Sequence, residues 1–591
     1  MEKYALSVAQ EQAQEILKKA FPEVNTNRVQ VFYPPAEIEA DLSIPLFGVA
    51  KELKQNPMKL AEDVASKSDC VGTLFSKITA EKGYVNFVFD REKINKQVFN
   101  DYLSFAEEYG ISDIGKDKKV VIDYSSPNIA KPFSIGHLRT TVLGQSLCNI
   151  FRFAGYEVIA ENHIGDWGTQ FGKLIYAYKQ WGNKEDIEAS PIKALLELYV
   201  RFHKEAESVS GGNPEIENEA RKWFKKLEEK DAEATEIWKW FKDVSLKEFE
   251  RIYKILGVKF DDIIGESFYN DMLKGIVVEA LDKKVAEWEE IVSTEQLEEN
   301  FPQKSKLVLI KLDNYGIRQP LLLQKSDGTS LYATRELAAI KHRMEKWNPE
   351  QVIYVVGAEQ KLHFQQCFKA AELLGYNVKC VHIWFGLIRM ADGKMSTREG
   401  RVIFLEDVLN EAIQRAKNIV AERDMSEEEK EKTAQIIGIG AIKYTDLSQD
   451  RVKDVVFDWD KMLSLDGDSA PYIQYVYTRV KSILRKADFD SATKLNLRPE
   501  LLVEKEETDI IKRISHFPEI INQALENYEP HRIANYLFDF AQSFNRLYAN
   551  VSILKAENEE LRNIRLVLID IARCIIKRGL GLLGIDAPEK M

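Results

Sequence analysis

The chain has 591 residues, 45% hydrophobic and 30% charged, with a formal net charge of −12, too long for one core and long enough for three or four units. No apolar run approaches the length that crosses a bilayer, and the acidic surplus argues against non-specific binding of a polyanion. Five scattered cysteines (Cys70, Cys148, Cys367, Cys380, Cys574) form no CxxC pair and no set at ligand spacing, so neither a disulfide framework nor a structural zinc or other metal site is indicated.

The opening MEKYALSVAQEQAQEILKKAF reads as an amphipathic helix with charges of both signs and no signal-type cleavage site, and a cytoplasmic protein is expected. A strand-like RVQVFY, a helix around MKLAEDVASKS and the alternating GYVNFVFDR complete a small α+β unit up to about residue 115. From 120 the pattern becomes strand, loop, helix, strand. VVIDY is a buried-strand candidate, and Leu143, Leu147, Ile150, Phe151 and Ala154 recur at helical spacing before Gly155. YEVIAEN then leads into HIGDWGTQFG, the βαβ opening of a parallel, doubly wound sheet. Residues 173 to about 300 read as a charged, mainly helical insertion. Strand patterns return at KLVLIKL, PLLLQ, QVIYVVG and VHIWFGLI, with the helix HFQQCFKAAELLGY between the last two. From about 405 the sequence is nearly all helical.

In a parallel α/β sheet, ligands sit beyond the carboxyl ends of the strands, where helix N-termini offer N–H groups to anions. The loop SSPNIAKPFSIGHLRTT lies at that end of the first strand. Pro127 and Pro132 stiffen it, and Lys131, Ser134 and His137 can donate to phosphate oxygens. Singly, such residues are usually structural. Their combination at a strand end points to chemistry.

Ser134-Ile135-Gly136-His137 resembles the HIGH signature of class I aminoacyl-tRNA synthetases, and ADGKMSTREGR, 391 to 401, resembles their KMSKS signature. Two departures stand out: Ser134 replaces the first His, and Thr397 replaces the second Lys. SSPNIAKPF, GDWGTQFG, GESFY, SDGTSLYATRELAA, GAEQKLHF, APYIQYVYTRV and APEKM resemble blocks of the arginyl-tRNA synthetase family along essentially the whole chain.

The resemblance implies a multidomain protein. It would have an N-terminal α+β domain (1–115) on the D-loop side of the tRNA, a Rossmann-like parallel-sheet catalytic domain with helical insertion (116–404), a helical connector (405–454) and an all-α anticodon-binding domain (455–591). It implies activation of arginine by ATP with Mg2+ as the substrate complex, transfer to tRNA(Arg), and activation only when tRNA is bound; a monomer is expected. His137, Lys394 and Arg398 would be catalytic, and Ser134, Gly136, His137, Lys394, Met395 and Ser396 would hold ATP. Arginine would contact Asp123, Ser126, Asn128, His137, Tyr332, Glu336 and Gln360. Glu336 is the guanidinium partner with Tyr332 one turn before it, while for Asp123 a role capping the loop stands beside that of a second carboxylate partner. His163, Asp166 and Gln170 could line the pocket, with Trp167 a packing residue. For tRNA, Asn86 and Phe89 map to the D-loop side and Met591 to the anticodon, while Tyr472, Tyr475 and Arg479 share one helical stripe suited to stacking on bases. Two rival readings are an enzyme that adenylates a small acid without tRNA and a catalytically impaired paralogue, the latter favoured by Ser134 and Thr397.

Overall fold

The computed structural model describes residues 4–35, 37–207, 213–292, 304–325, 328–390, 404–489 and 497–591, and the described chain forms two compact units. The first gathers residues 1–114 with 464–582 and 586–591. Its sheet contains β1 (Leu42–Pro45), β2 (Phe75–Glu81) and β3 (Tyr84–Phe89), ordered β1-β3-β2 and antiparallel. The expected helix near residue 60 spans Pro57–Lys67, capped by Asn56. RVQVFY forms no strand: only Phe32 bridges, to Ser43, because two prolines end the run and the Tyr33 ring packs 4.7 Å from His516. The helices Ala470–Lys486, Lys505–Asn527, His531–Asn550 and Glu559–Leu582 share this unit. Asn95 donates to the carbonyls of Pro499 and Leu502 (3.2 and 3.4 Å), tying the two sequence ends together.

The second unit spans 115–463 with 583–585. Its five-stranded parallel sheet uses β4 (Lys119–Asp123), β5 (Glu157–Ile164) and β6 (Asp262–Gly265), then, after the antiparallel β7 (Glu287–Val292), β8 (Lys304–Ile310) and β9 (Leu321–Lys325), also β10 (Gln351–Tyr354) and β11 (Lys379–His382). The order is β11-β10-β4-β5-β6. The chain builds outward from β4 in one direction and then crosses to its other side, so a switch-point crevice opens between the carboxyl ends of β4 and β10. The centre of β4, Val120-Val121-Ile122, is apolar and fully buried because both faces of the sheet are covered.

The stretch read as a helical insertion departs from that reading at β6, which completes the parallel sheet beside β5, and at β7, which pairs with β8. Four polar-flanked residues carry little periodic signal. KLVLIKL and PLLLQ are strands as expected, but they belong to the separate β7-β8-β9 sheet. Past residue 405, among the described residues, the regular elements are helical apart from β13 (Val455–Phe457), which pairs in parallel with β12 (Ile388–Met390). Among the described residues, no helix is long and apolar enough to cross a membrane.

Candidate functional site

Beyond β4 the loop turns sharply, with Ser125, Ser126 and Ala130 at φ of +73°, +48° and +59°. A non-glycine residue held there costs roughly 1–3 kcal/mol and persists only when its surroundings fix it. They do so here. Ser125 N donates to Thr140 Oγ1 (2.9 Å), which donates to the Val355 carbonyl beyond β10 (2.6 Å). Ser125 Oγ lies 2.8 Å from both Thr141 Oγ1 and Tyr253 OH. Ser126 N donates to Asn162 Oδ1 (3.1 Å), and Ala130 N to Ser245 Oγ (3.0 Å). Asn128 bridges Gly165, and a Cβ on that glycine would lie 1.9 Å from Asn128 Oδ1, so only glycine allows the approach.

The loop delivers Ser134 to the start of the Gly136–Phe153 helix. Gly136 is exposed there. Ser134 N donates to His137 Nδ1 (3.1 Å), and Ser134 Oγ lies 3.0 Å from the same nitrogen. Because Nδ1 accepts, the proton of the neutral ring sits on Nε2, facing away from the serine. Burial, with Lys131 adding to it, holds the imidazole below its usual range. Phe133 stacks on it at 5.2 Å. Lys394, Met395, Ser396, Thr397 and Arg398 lie outside the described residues. Phe404, just past them, bridges Ser134, and Leu405 N donates to the Phe133 carbonyl (2.9 Å).

Three adjacent strand ends and one helix supply acidic side chains. Asp123 ends β4, Glu161 and His163 lie near the end of β5, Glu266 follows β6, and Glu336 sits on the Tyr332–Trp347 helix. Ser126 Oγ donates to Asp123 Oδ1 (3.1 Å). Arg343, seven residues and two turns past Glu336 on the same helix, is fully buried. Its Nε donates to both Glu161 oxygens (3.0 and 3.1 Å), and Nη2 to Asp123 Oδ2 (2.8 Å) and to Glu161. The Tyr354 ring lies 5.0 Å beneath it. Among the described residues Asp123, Glu161 and His163 have metal-ligand spacing, but this guanidinium already occupies the two carboxylates.

Glu336 and Glu266 differ. Burial pushes the Glu336 carboxyl up, opposed by His163 and Arg343 and reinforced by Asp123. Burial pushes Glu266 up to about 7, opposed by Arg335 and reinforced by Glu336 and Asp166. Arg335 directs Nε to the Glu266 carbonyl (3.1 Å) and Nη2 to Asn270 (3.0 Å). The two carboxylates therefore share a site that raises the cost of their charge, as expected where a cation is to enter. Of the other expected contacts, Tyr332 is 72% exposed at the helix start and Gln360 is exposed beyond β10. Asp166 is used internally: its carboxylate accepts from Lys242 Nζ (2.7 Å) and from Ser267 N and Oγ (both 2.8 Å). Trp167 packs on Trp238 and Phe224, and Gln170 is half-buried beside Gly168. His163 stacks on Tyr269 at 5.5 Å, and burial holds it below its usual range.

In the first unit, Tyr472, Tyr475 and Arg479 are half-exposed on one face of the Ala470–Lys486 helix. The guanidinium of Arg479 lies 4.7 Å from the Tyr475 ring and 5.0 Å from that of Tyr548. Asn545 joins the set, accepting from Arg479 Nη1 (2.7 Å) and donating to Tyr472 OH (2.8 Å). Met591 is half-buried. Asn86 is 2% exposed and accepts from Ser43 Oγ (2.7 Å), while the buried Phe89 stacks on Phe75. Exposed rings nearby include Phe32, which bridges Ser43, and Tyr84 and Phe47, 5.4 Å apart.

Residues 100–459 match the family model for tRNA synthetases class I (R), catalytic domain; residues 473–591 match the DALR anticodon binding domain; and residues 7–89 match the arginyl tRNA synthetase N terminal domain. The arginine–tRNA ligase of Halothermothrix orenii is 42% identical over 581 residues, 98% of either chain, and that of Clostridium perfringens is 44% identical over 562 residues, 94% of this chain and 95% of its own. The chain belongs to the arginyl-tRNA synthetase family. The fold agrees: the crystal structure of the Plasmodium falciparum arginyl-tRNA synthetase superposes over the full length of both chains with a TM-score of 0.80 at 26% identity. Arg343, Glu266, Asn545 and Tyr548 stand among these candidate residues without having been singled out from the sequence. Glu266 lay in the GESFY block, whereas a single Arg among IKHRMEKW looks like a solvated helix face.

Proposed function

We propose that the chain activates L-arginine with ATP·Mg2+ to arginyl-adenylate, releasing pyrophosphate, and transfers arginine to the 3′ end of tRNA(Arg), releasing AMP. The observation that carries this reading is the acidic group at the crevice, with Glu336 and Glu266 left for a ligand while Asp123 and Glu161 are held by Arg343. A planar guanidinium offers those carboxylates a fork of donors, and a ligand lacking it leaves them buried and unpaired. Across the crevice, His137 keeps its Nε2–H available to a phosphoryl oxygen as charge builds there, and Lys394, Ser396 and Arg398 are proposed to close on the pyrophosphate. Ser126, Asn128, Tyr332 and Gln360 are assigned to the amino acid's polar groups. Arg479, between the rings of Tyr475 and Tyr548, offers stacking planes for anticodon bases. The reading includes a cytoplasmic, monomeric enzyme.

Against an impaired paralogue, the near-full-length relatives are named arginine–tRNA ligases, and the Ser134 hydroxyl that replaces the first His still lies 3.0 Å from His137 Nδ1. The test is ATP–pyrophosphate exchange screened over the twenty amino acids, with and without total tRNA. Arginine alone is expected to support exchange, and only with tRNA. Comparable turnover with lysine would overturn the pocket assignment.

A further inference from the structure

Tyr253 stands near the end of the Ala232–Ile255 helix, in the helical insertion, and no part in the proposed chemistry has been given to it. The residue is buried, and its hydroxyl sits in a hydrogen-bond chain whose direction both ends dictate. The His137 carbonyl can only accept, so Thr141 Oγ1 donates to it (2.6 Å). Thr141 Oγ1 then accepts from Ser125 Oγ, and Ser125 Oγ from Tyr253 OH (both 2.8 Å). At the other end Ser126 N can only donate, which turns Asn162 Oδ1 toward it (3.1 Å) and leaves Asn162 Nδ2 to donate to Tyr253 OH (3.0 Å). One phenol therefore links two left-handed residues of the loop, Ser125 through its side chain and Ser126 through Asn162.

A buried phenol needs a partner wherever it lies, and a bond to any carbonyl would meet that need. What sets this one apart is the conformation it secures, since Ser125 and Ser126 stand at φ of +73° and +48°, strained for any residue with a Cβ. Of residues 121–130 only Ser126 and Asn128 are not buried. The turn therefore brings these two side chains, and no others of the stretch, to an accessible place beside Asp123, whose Oδ1 accepts from Ser126 Oγ (3.1 Å). The Tyr253 ring is held separately, edge-on to Phe133 (5.4 Å) and to Phe260 (4.9 Å), so removal of the hydroxyl alone leaves its packing in place.

We propose that Tyr253 is a positioning residue for the amino acid: its hydroxyl, through Ser125 and Asn162, holds the strained turn and so places Ser126 and Asn128 for the α-amino and carboxylate groups of arginine. This rests on the assignment of Ser126 and Asn128 to those groups. A short side chain meets its ligand only when the backbone beneath it is fixed by neighbours of its own. Loss of the hydroxyl falls on the α end of the ligand more than on its guanidinium end, because Asp123 stays tied to Arg343 whatever Ser126 does.

The experiment titrates two ligands by calorimetry into the full-length parent, Tyr253→Phe, Ser125→Ala and the double variant, with thermal unfolding recorded in parallel. The ligands are arginine and n-butylguanidinium, which keeps the guanidinium and the alkyl chain but has neither α group. Tyr253→Phe is expected to weaken arginine about tenfold and n-butylguanidinium less than about twofold. Ser125→Ala removes the acceptor of the same hydroxyl and should do the same, and the double variant should lose no more than the larger single loss. Should Tyr253→Phe not fold, the ratio of the two affinities in Ser125→Ala decides. Parental arginine affinity in folded Tyr253→Phe, equal losses for both ligands, or additive losses in the double variant would overturn the proposal. A parent chain that binds arginine but gives no tRNA-dependent pyrophosphate exchange would instead refute the activation reaction, and the ratio would still decide the role of Tyr253.

Discussion

Arginine affinity should rise with pH through neutrality, and Glu266 sets the size of the effect. Its carboxyl is pushed from 4.5 to about 7, a penalty on the charged form of about 3 kcal/mol. A guanidinium stays charged across this range, so only the ionised pocket pairs with it. With a pKa near 7 the ionised fraction is about one tenth at pH 6 and about nine tenths at pH 8, so the arginine Kd should fall about tenfold between them. Glu336 is also raised and acts in the same direction. Burial holds His163 below its usual range, which displaces its own titration toward the acid side of this window. Isothermal calorimetry at pH 6, 7 and 8, in buffers of different ionisation heat, reads both Kd and proton release, which should be about half a proton near pH 7. Glu266→Gln should weaken binding at pH 8 and flatten the profile. A Kd independent of pH in the parent chain would refute the reasoning, because it would mean that the carboxylate is already ionised or does not meet the ligand.

Arg343→Met should be severe: two buried carboxylates would be left facing each other, and breaking such a pair costs roughly 3–5 kcal/mol, visible as a lower urea midpoint. Replacing Tyr472, Tyr475 and Arg479 together by Ala should abolish tRNA-dependent pyrophosphate exchange while leaving arginine binding by calorimetry intact, whereas retained exchange would remove this face from tRNA recognition.

What the sequence made legible was whatever repeats or terminates locally. KVVID, the periodic helix behind the first signature and QVIYV each carry their own signal of burial, and the structure has them as sheet strands and helix. β6 was not legible, because four residues become a strand only through pairing with β5. The destination of β8 and β9 was hidden for a similar reason: apolar alternation says strand but not which sheet. In the site, titratable residues inside recognisable blocks could be named, as with Asp123, His137 and Glu336. Arg343 could not, since its burial follows from two carboxylates more than 180 residues away in sequence.

A built-in guanidinium inside an acidic crevice looks at first like competition for the substrate. The charge balance shows the opposite. Arg343 uses Nε and Nη2 to tie Glu161 and Asp123 across β4 and β5, which fixes the floor of the crevice and neutralises one of its two buried charges. Arg335 directs its donors to a carbonyl and an amide, and among the described residues the Glu266 carboxylate has no hydrogen-bonded partner ion of its own. The crevice therefore keeps two acidic groups, Glu336 and Glu266, and the carboxyl of the latter is raised first by its burial and then by the neighbouring Glu336 and Asp166 carboxylates. A ligand cation with a planar fork relieves that cost. On the proposed assignment, an ammonium would present a point charge able to face one carboxylate closely and the other only at a distance, so the two glutamates would select against lysine.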